Sequence, residues 1–337
     1  MSFYSCNTTE KNIKYLEGFS SPIGLTDCTE CMLTDLLNPV NFEIKDSLLF
    51  TVESKDNTYA KCINLKTGKQ IAKFLSKGRG PGEFIHCSSI SLYGNDSIQF
   101  YGVAPPRIIT YSIKDILNNK YDKYTEINIP NKIEPSRDAF KLNANQIFMA
   151  GSAKDGKHNT EYCSYLLEKD SLYFWGEFNE NFFKDSNLYP HEKSYLYQPS
   201  ISFFGDKAVA FMSNFKGIEI LNLKKQVVLK RLYYESPKWI FKTLGEGKNS
   251  LRFVKSDKDM WGYLDSACNK DFIFCVYGFT KGYEILVYDW NLNPQKRYVI
   301  KTKKKHIVCK ISNDCKYFYF AEEEVQGIKL LRYKISK

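Results

Sequence analysis

The sequence lacks any apolar run near the length of about 20 residues that a membrane-spanning helix needs. Alanine-rich stretches are few, whereas 24 tyrosines and 24 phenylalanines are spread over the 337 residues. Aromatic side chains fit the pleated surface of a sheet, so this composition favours β structure. The length allows either one large β domain or two ordinary ones.

The sequence also has few dense runs of charge of one sign. There are 48 lysines and arginines against 38 acids, a formal net charge of +10. The one dense basic run, KTKKKH at 301–306, lies between two strand-like segments, and we interpret it as a solvated loop. This distribution predicts no nucleic-acid partner.

What the sequence does contain is a repeat. Six segments share a polar start followed by an apolar, aromatic run: DSLLFTV at 46, DSIQFYG at 96, NQIFMAG at 145, DKAVAFM at 206, DFIFCVY at 271 and DCKYFYF at 314. A strand-like run precedes each segment and another follows it, with Asn, Asp and Gly between them. Those residues supply the turn chemistry of hairpins.

A fourth strand closes five of the six units, and the sixth ends at Lys337 without one. Four-stranded antiparallel units repeated around a circle make a β-propeller, so we predict an all-β, six-bladed propeller over residues 12–337. An open ring would expose a sheet edge, so we expect an N-terminal strand, NIKYLEGF at 12–19, to close the last blade. The alternative is two stacked β-sandwiches with irregular repeats.

The stretch GRGPGEF concentrates glycine and proline between the outer strand of unit one and the inner strand of unit two. Gly78, Gly80 and Gly82 permit an unusual backbone, Pro81 stiffens the crossing, and Phe84 can wedge between neighbouring blades. A phosphate cradle would require a helix directly after the glycines, whereas a β pattern follows. We therefore predict a corner from rim to axis.

GRGPGEF and the late run KGYEILVYDWNLNPQKRYVI resemble the TolB-like six-bladed propeller family of Gram-negative bacteria, from about Tyr15 to the end of the chain. The crossing motif is also similar to that of NHL-repeat propellers. The resemblance implies the fold and an exported protein or lipoprotein, and it is nearly silent about activity. Trp290, in the run YDW, is expected in the core.

The N-terminus suggests a lipid anchor. Cys6 precedes a polar, Asn/Thr-rich tether, and residues 1–11 resemble the start of a mature bacterial lipoprotein whose signal peptide is missing. With such a signal upstream, the protein would be a periplasmic or cell-envelope lipoprotein; as written, it would stay in the cytoplasm. Membrane contact is expected only through a lipid at Cys6.

The other cysteines do not indicate a metal site or a disulfide framework. Cys28 and Cys31 form CTEC, but no second pair follows at zinc-site spacing and no βαβ pattern surrounds them. A redox-sensing role for this pair stays open as a third hypothesis. Cys309 and Cys315 flank a predicted turn, where their Cα separation should exceed disulfide reach.

Motifs of catalytic chemistry are missing. There is no Gly-Lys-Ser/Thr loop, no Gly-x-Ser-x-Gly elbow, and only four histidines, of which His86 and His306 precede inner strands. Because a metal-dependent lyase needs several converging His, Asp, Glu or Asn ligands, we predict no metal and no cofactor.

Candidate ligand-binding residues lie where inner strands begin. They are Arg79, Glu83, His86, Arg137 and Asp138. The alternative for Arg79 and Glu83 is pairing with each other or with an adjacent blade. Two long connections, 178–197 and 235–260, are further candidates for a partner surface, although the second can equally hold a short helix.

These observations favour a monomeric, non-enzymatic binding or scaffold propeller of the cell envelope that recognises a protein or glycan. The alternative is an exported propeller enzyme, a lyase or hydrolase acting on polysaccharide or peptide at the mouth of the central channel. The two differ in whether at least three polar ligands converge on the axis.

Overall fold

The structure is a computed structural model that describes residues 16–133, 138–179, 193–194, 197–234, 241–243, 251–253, 262–279, 282–302 and 306–335. Its strands form six antiparallel blades of four consecutively hydrogen-bonded strands. The innermost strands of neighbouring blades pack against one another around a central axis. The predicted all-β, six-bladed propeller is confirmed.

Two strands precede the first complete blade: β1 (Ile23–Gly24) and β2 (Cys28–Leu33). Blade 1 consists of β3 (Pro39–Lys45), β4 (Leu48–Glu53), β5 (Thr58–Asn64) and β6 (Gln70–Ser76). Blade 2 consists of β7 (His86–Tyr93), β8 (Ser97–Ala104), β9 (Pro106–Ser112) and β10 (Tyr124–Asn128), with helix α1 (Ile113–Leu117) before its last strand. Blade 3 consists of β11 (Ala139–Asn143), β12 (Gln146–Ala150), β13 (Thr160–Leu166) and β14 (Ser171–Glu177).

Blade 4 consists of β15 (Pro199–Phe204), β16 (Lys207–Met212), β17 (Gly217–Asn222) and β18 (Val227–Tyr233). A separate hairpin, β19 (Phe241–Thr243) and β20 (Leu251–Phe253), follows it. Blade 5 consists of β21 (Asp265–Cys268), β22 (Phe272–Phe279), β23 (Gly282–Asp289) and β24 (Pro294–Lys301). Blade 6 consists of β25 (His306–Ile311), β26 (Tyr317–Glu324), β27 (Gly327–Lys334) and β2.

The core is divided into hydrophobic clusters that lie between neighbouring blades. Between blades 1 and 2, for example, Phe50 and Phe74 meet Phe100 and Tyr111, and all four side chains are buried. Equivalent clusters fill the other five boundaries, including the one between blade 6 and blade 1. The ring is therefore held by apolar contact at every boundary, since each blade alone would expose both faces.

The last blade is closed by an N-terminal strand, as predicted, but by a different segment. Strand β2 pairs antiparallel with β27, from Cys28 opposite Tyr333 to Leu33 opposite Ile328. Of the predicted segment 12–19, residues 12–15 lie outside the described residues, residues 16–18 form a turn, and Phe19 packs edge-on against Tyr288 of blade 5 at 5.1 Å. The prediction 12–19 was wrong because Leu16 and Phe19 pack on the hydrophobic cluster between blades 4 and 5, whereas Leu33 enters the boundary between blades 6 and 1.

Three features had no counterpart in the sequence prediction. Strand β1 adds a fifth strand to blade 5 by pairing parallel with β24. Helix α1 lies inside blade 2. The stretch 235–260, where a short helix was one expectation, contains the β19–β20 hairpin in its described part. No described helix is long and apolar enough to cross a membrane.

Candidate functional site: an axial cavity

The six innermost strands surround a cavity of about 710 Å³ on the axis of the ring, here called the axial cavity. Its lining includes Asp138 and Asp265, which stand where inner strands begin. It also includes Asp46, Asn95 and Asn313, which lie in the hairpin turns where inner strands end. The cavity therefore runs along the axis, and one of its mouths lies among these turns.

Three charged side chains from three blades meet inside this cavity. Lys310 of β25 lies between Glu43 of β3 and Asp265 of β21. Its Nζ is 2.7 Å from Oε1 of Glu43 and 3.8 Å from Oδ1 of Asp265. The side chains are 17%, 5% and 9% exposed, respectively, so the contacts are largely shielded from bulk water.

The remaining oxygens of the two carboxylates are also engaged. The side-chain amide of Asn313 donates to Oε2 of Glu43 at 3.1 Å, and the backbone N–H of Ile311 donates to Oδ2 of Asp265 at 2.7 Å. Hydrogen bonds of this kind hold buried charges in fixed positions. The cluster therefore presents a preformed charged surface to whatever enters the cavity.

Burial has opposite effects on the pKa values of the acid and the base. Burial raises the pKa of Asp265 to about 6, helped by nearby Glu43 and opposed by Lys310 and the Ile311 N–H. For Lys310, burial lowers the pKa, but the attraction of Glu43, Asp265 and Asp138 outweighs it, so the net pKa is raised. Lys310 is thus a cation at neutral pH, whereas the raised pKa of Asp265, about 6, lies within about one unit of neutral pH.

Hydroxyl groups line another side of the cavity. Ser202 of β15 donates to the backbone oxygen of Ser266 at 2.8 Å, and the two hydroxyl oxygens lie 2.9 Å apart. Ser200 lies 3.5 Å from Ser266. No histidine occurs among the described residues of the lining.

Aromatic rings stand at the mouth. Phe203 and Phe204 end β15, line the cavity and are 36% and 49% exposed. Phe203 packs edge-on against Phe140 of blade 3, with ring centroids 5.6 Å apart. Exposed rings beside polar groups can stack on sugars or apolar side chains.

Of the five candidate ligand-binding residues, Asp138 lines the axial cavity and is buried. Arg137 lies outside the described residues. Arg79, Glu83 and His86 do not belong to the described lining. They lie at the crossing from blade 1 to blade 2, where Arg79 and His86 are exposed.

The glycine-rich stretch forms that crossing, between β6 and β7. Oε2 of Glu83 accepts a hydrogen bond from the backbone N–H of Gly80 at 2.9 Å, and a Cβ on Gly78 would lie 1.9 Å from the same oxygen. Gly82 has φ +72° and donates to Glu126 at 2.8 Å. The carboxylate of Glu83 therefore organises the loop itself, and Pro81 is exposed on its surface.

Two aromatic residues of the predicted motifs have different environments. Phe84 is fully buried between blades 1 and 2, against the Cα of Gly102. Trp290, which was expected in the core, is only half-buried, at the edge of the boundary between blades 4 and 5, where its indole N–H donates to the backbone oxygen of Asn269 at 3.0 Å. Lys207 lies over its ring.

The geometry of CTEC argues against a redox pair. Cys28 and Cys31 lie three residues apart on β2, and such residues point to opposite faces of a strand, about 10 Å apart. That separation exceeds the Cα distance of a disulfide. Both thiols are free, and burial raises the pKa of each, which lowers their reactivity. Cys309 and Cys315 are not joined by a disulfide, as predicted.

Within the described parts of the chain, no three His, Cys, Asp or Glu side chains are arranged to hold a metal ion. Lys310 occupies the position between Glu43 and Asp265 in which a cation would otherwise be expected. The cluster is a salt-bridged network.

Six four-stranded blades around a polar axial cavity define the class of the protein as a six-bladed β-propeller. The family described as "TolB-like 6-blade propeller-like" matches residues 27–311, which is most of the chain. The protein belongs to this TolB-like family.

Solved structures share the fold at low sequence identity. One from Bacteroides fragilis, described as a "putative exported protein", is 14% identical with a TM-score of 0.56, covering 92% of this chain and 95% of its own. U3-55K and the WD40 repeats of RRP9 are each 9% identical with a TM-score of 0.51. They cover 92% and 93% of this chain and 98% and 99% of their own. No curated protein matches the sequence.

Proposed function

We propose that this protein is a non-enzymatic binding module of the cell envelope whose ligand, a protein or glycan, enters the axial cavity. The observation that carries the proposal is the cavity of about 710 Å³, lined by carboxylates, hydroxyls and one buried lysine. Concave sites of this size with a few fixed polar groups are the usual form of ligand pockets.

The way in which the described polar groups of the cavity engage one another supports binding over catalysis. Lys310, Glu43 and Asp265 hold one another. Of the cavity's serines, Ser200 and Ser202 each lie within hydroxyl contact of Ser266. Groups fixed in this way recognise a ligand without being released for proton transfer or nucleophilic attack.

The cell envelope is proposed from likeness. A similar solved structure is described as a "putative exported protein". The resemblance to the TolB-like family, to which this chain belongs, also implies an exported protein or lipoprotein. Lipidation at Cys6 would fix such a module to a membrane surface.

A ligand screen tests the proposal. Peptides and oligosaccharides are added to the wild-type protein, Ser202→Trp and Ser21→Trp, and the shift in melting temperature is measured. Ser202→Trp places a large ring in the cavity, whereas Ser21 is exposed outside it. The proposal expects stabilising ligands that lose their effect only in Ser202→Trp. Ligands that stabilise all three proteins equally would refute the cavity as their site.

One observation favours the second candidate, an exported lyase or hydrolase. Burial raises the pKa of Asp265 to about 6, a value suited to a general acid or base. Polysaccharide or peptide turnover that Asp265→Asn abolishes, with an unchanged melting temperature, would decide for the enzyme.

A further inference from the structure

A second cavity opens between blades 6 and 1, beside the mouth of the axial cavity. Its volume is about 550 Å³. Thr29 and Cys31 of the closing strand β2 form one wall, and Ser47 and Lys66, from two turns of blade 1, form the other. We call this the seam groove, because the ring closes here.

The seam groove adjoins the axial cavity. Asp46, Tyr319 and Arg332 line both. Arg332 is held in place on two sides: its Nε donates to the hydroxyl of Thr29 at 2.9 Å, and its guanidinium lies 5.0 Å from the ring centroid of Tyr317. A ligand that occupied both cavities would therefore lie against this fixed arginine.

The two cavities differ in charge. The described lining of the axial cavity has five carboxylates against three cationic side chains, a formal balance of −2 in a protein whose net charge is +10. The seam groove is balanced, with Glu30 and Asp46 against Lys66 and Arg332. The passage is thus negative at its axial end and neutral at its outer end, which selects a ligand with positive charge at one end only.

We propose, on the basis of the function proposed above, that the ligand is an extended polypeptide whose amine-bearing end enters the axial cavity while its uncharged remainder lies in the seam groove. Ammonium groups would be attracted by the net negative charge of the axial lining and would meet the serine hydroxyls, and peptide groups would meet the hydroxyls of Thr29 and Ser47. Strand β3, which lines the axial cavity, has seven residues and is about 20 Å long. A peptide of about six extended residues has the same length as this strand. A compact solute would fill the axial cavity alone.

The test uses isothermal titration of the full chain with defined probes. The main probe is a hexapeptide with two lysines at one end and four glycine and serine residues after them. Its controls are the lysine dipeptide, the same hexapeptide with glutamates in place of lysines, and maltohexaose. The proteins are wild type, Ser202→Trp, which obstructs the axial cavity, and Ser47→Trp, which obstructs the groove; matched unfolding midpoints establish that each variant is folded.

The hexapeptide should bind the wild type at least about tenfold more tightly than the dipeptide and the glutamate peptide. Ser47→Trp should remove the advantage over the dipeptide, and Ser202→Trp should remove binding of both. If Ser47→Trp changes nothing while Ser202→Trp abolishes binding, the groove is no part of the site and the inference fails, although the proposed function stands. Binding of maltohexaose alone would overturn the polypeptide in favour of a glycan. Binding that neither variant affects would overturn both proposals.

Discussion

Lys310 and Glu43 lie 267 positions apart in the sequence, and their charged atoms are 2.7 Å apart across the boundary between the last blade and the first. Asp265 extends the contact to blade 5. The same network therefore shapes the axial cavity and ties three inner strands together.

Removing the lysine should destabilise the ring. Lys310→Met leaves two buried carboxylates without their cation, and we expect a loss of about 3–5 kcal/mol in the free energy of unfolding. Glu43→Gln should cost less, because its amide oxygen can still accept from Asn313 or Lys310.

Urea denaturation measures both variants, with Lys316→Met as the control. Lys316 is 61% exposed in its pair with Asp314, and its replacement should change little. Equal, small effects of Lys310→Met and Lys316→Met would show that the axial network does not hold the blades.

The raised pKa of Asp265 makes the free energy of unfolding depend on pH. Its pKa is raised to about 6 in the folded protein, so the folded state holds a proton that the unfolded state releases near the ordinary pKa of 3.8. The resulting stabilisation is complete below the unfolded pKa and is lost as pH rises through about 6. Asp265→Asn, which keeps an acceptor for the Ile311 N–H, should remove up to about 3 kcal/mol of this decline.

The decline is measured as the free energy of unfolding from pH 4 to pH 7. Asp271→Asn is the matched control, since that carboxylate is 58% exposed. A decline that persists unchanged in Asp265→Asn would mean that this carboxyl group does not titrate as described.

A second pair of carboxylates is buried between blades 3 and 4. Glu219 accepts from Tyr162 at 2.7 Å and from Arg231 at 2.9 Å, whereas Oε1 of Glu161 has no hydrogen-bond partner among the described residues. Burial and the negative charge of Glu219 raise the pKa of Glu161 well above its ordinary value, although Arg231 opposes this. Glu161 therefore retains its proton beyond the pH at which it is lost in the unfolded chain.

Because the folded pKa is raised, the contribution of Glu161 is present at low pH and is lost as pH rises. Glu161→Gln should stabilise the protein by about 1–3 kcal/mol at pH 8 and leave it nearly unchanged at pH 4. Thermal unfolding at both pH values measures this, with the exposed Glu323→Gln as control. Destabilisation at pH 8 would instead mean that the ionised pair is favourable.

Phe84 and Gly102 predict a compensating pair of substitutions. A Cβ on Gly102 would lie 2.1 Å from the ring of Phe84, so Gly102→Ala should cost about 1–3 kcal/mol. Phe84→Ala should cost about 3–5 kcal/mol by emptying the boundary between blades 1 and 2. The double variant should lose less than the sum, because the new methyl group enters the vacated space.

Chemical denaturation of the two single variants and the double variant checks this coupling. Gly24→Ala is the control, since nothing lies within 4 Å of its Cβ position. Additive losses in the free energy of unfolding would show that the aromatic ring of Phe84 and a methyl group at Gly102 do not compete for the same space.

The sequence predicted the ring because each blade is a local structure. The runs PVNFEIK and DSLLFTV carry their own strand and turn signals, and they form β3 and most of the hairpin with β4. The position of the closing strand was predicted wrongly because closure depends on packing between the two ends of the chain. The alternation of Cys31 and Leu33 suits the boundary between blades 6 and 1, but nothing local distinguishes it from the apolar residues before it.

The axial network was missed for a related reason. Glu43 and Lys310 each stand in the middle of an apolar inner strand, and a charge in that position was the available signal. That the two would meet depends on the order of blades around the ring and on the radius of the channel. Asp138 precedes an inner strand and lies in the cavity lining, while Arg79, Glu83 and His86 also lie before or at the start of an inner strand and are outside the described lining, so position in the chain alone does not identify the lining residues.

The claim that the axial cavity is the ligand site is tested most directly by hydrogen–deuterium exchange with and without a ligand from the screen. The account predicts slower exchange in the inner strands β3, β15, β21 and β25 and in the turns that follow them, with the outer strands unchanged. Protection confined to the outer strands, with the inner strands exchanging as in the free protein, would contradict it.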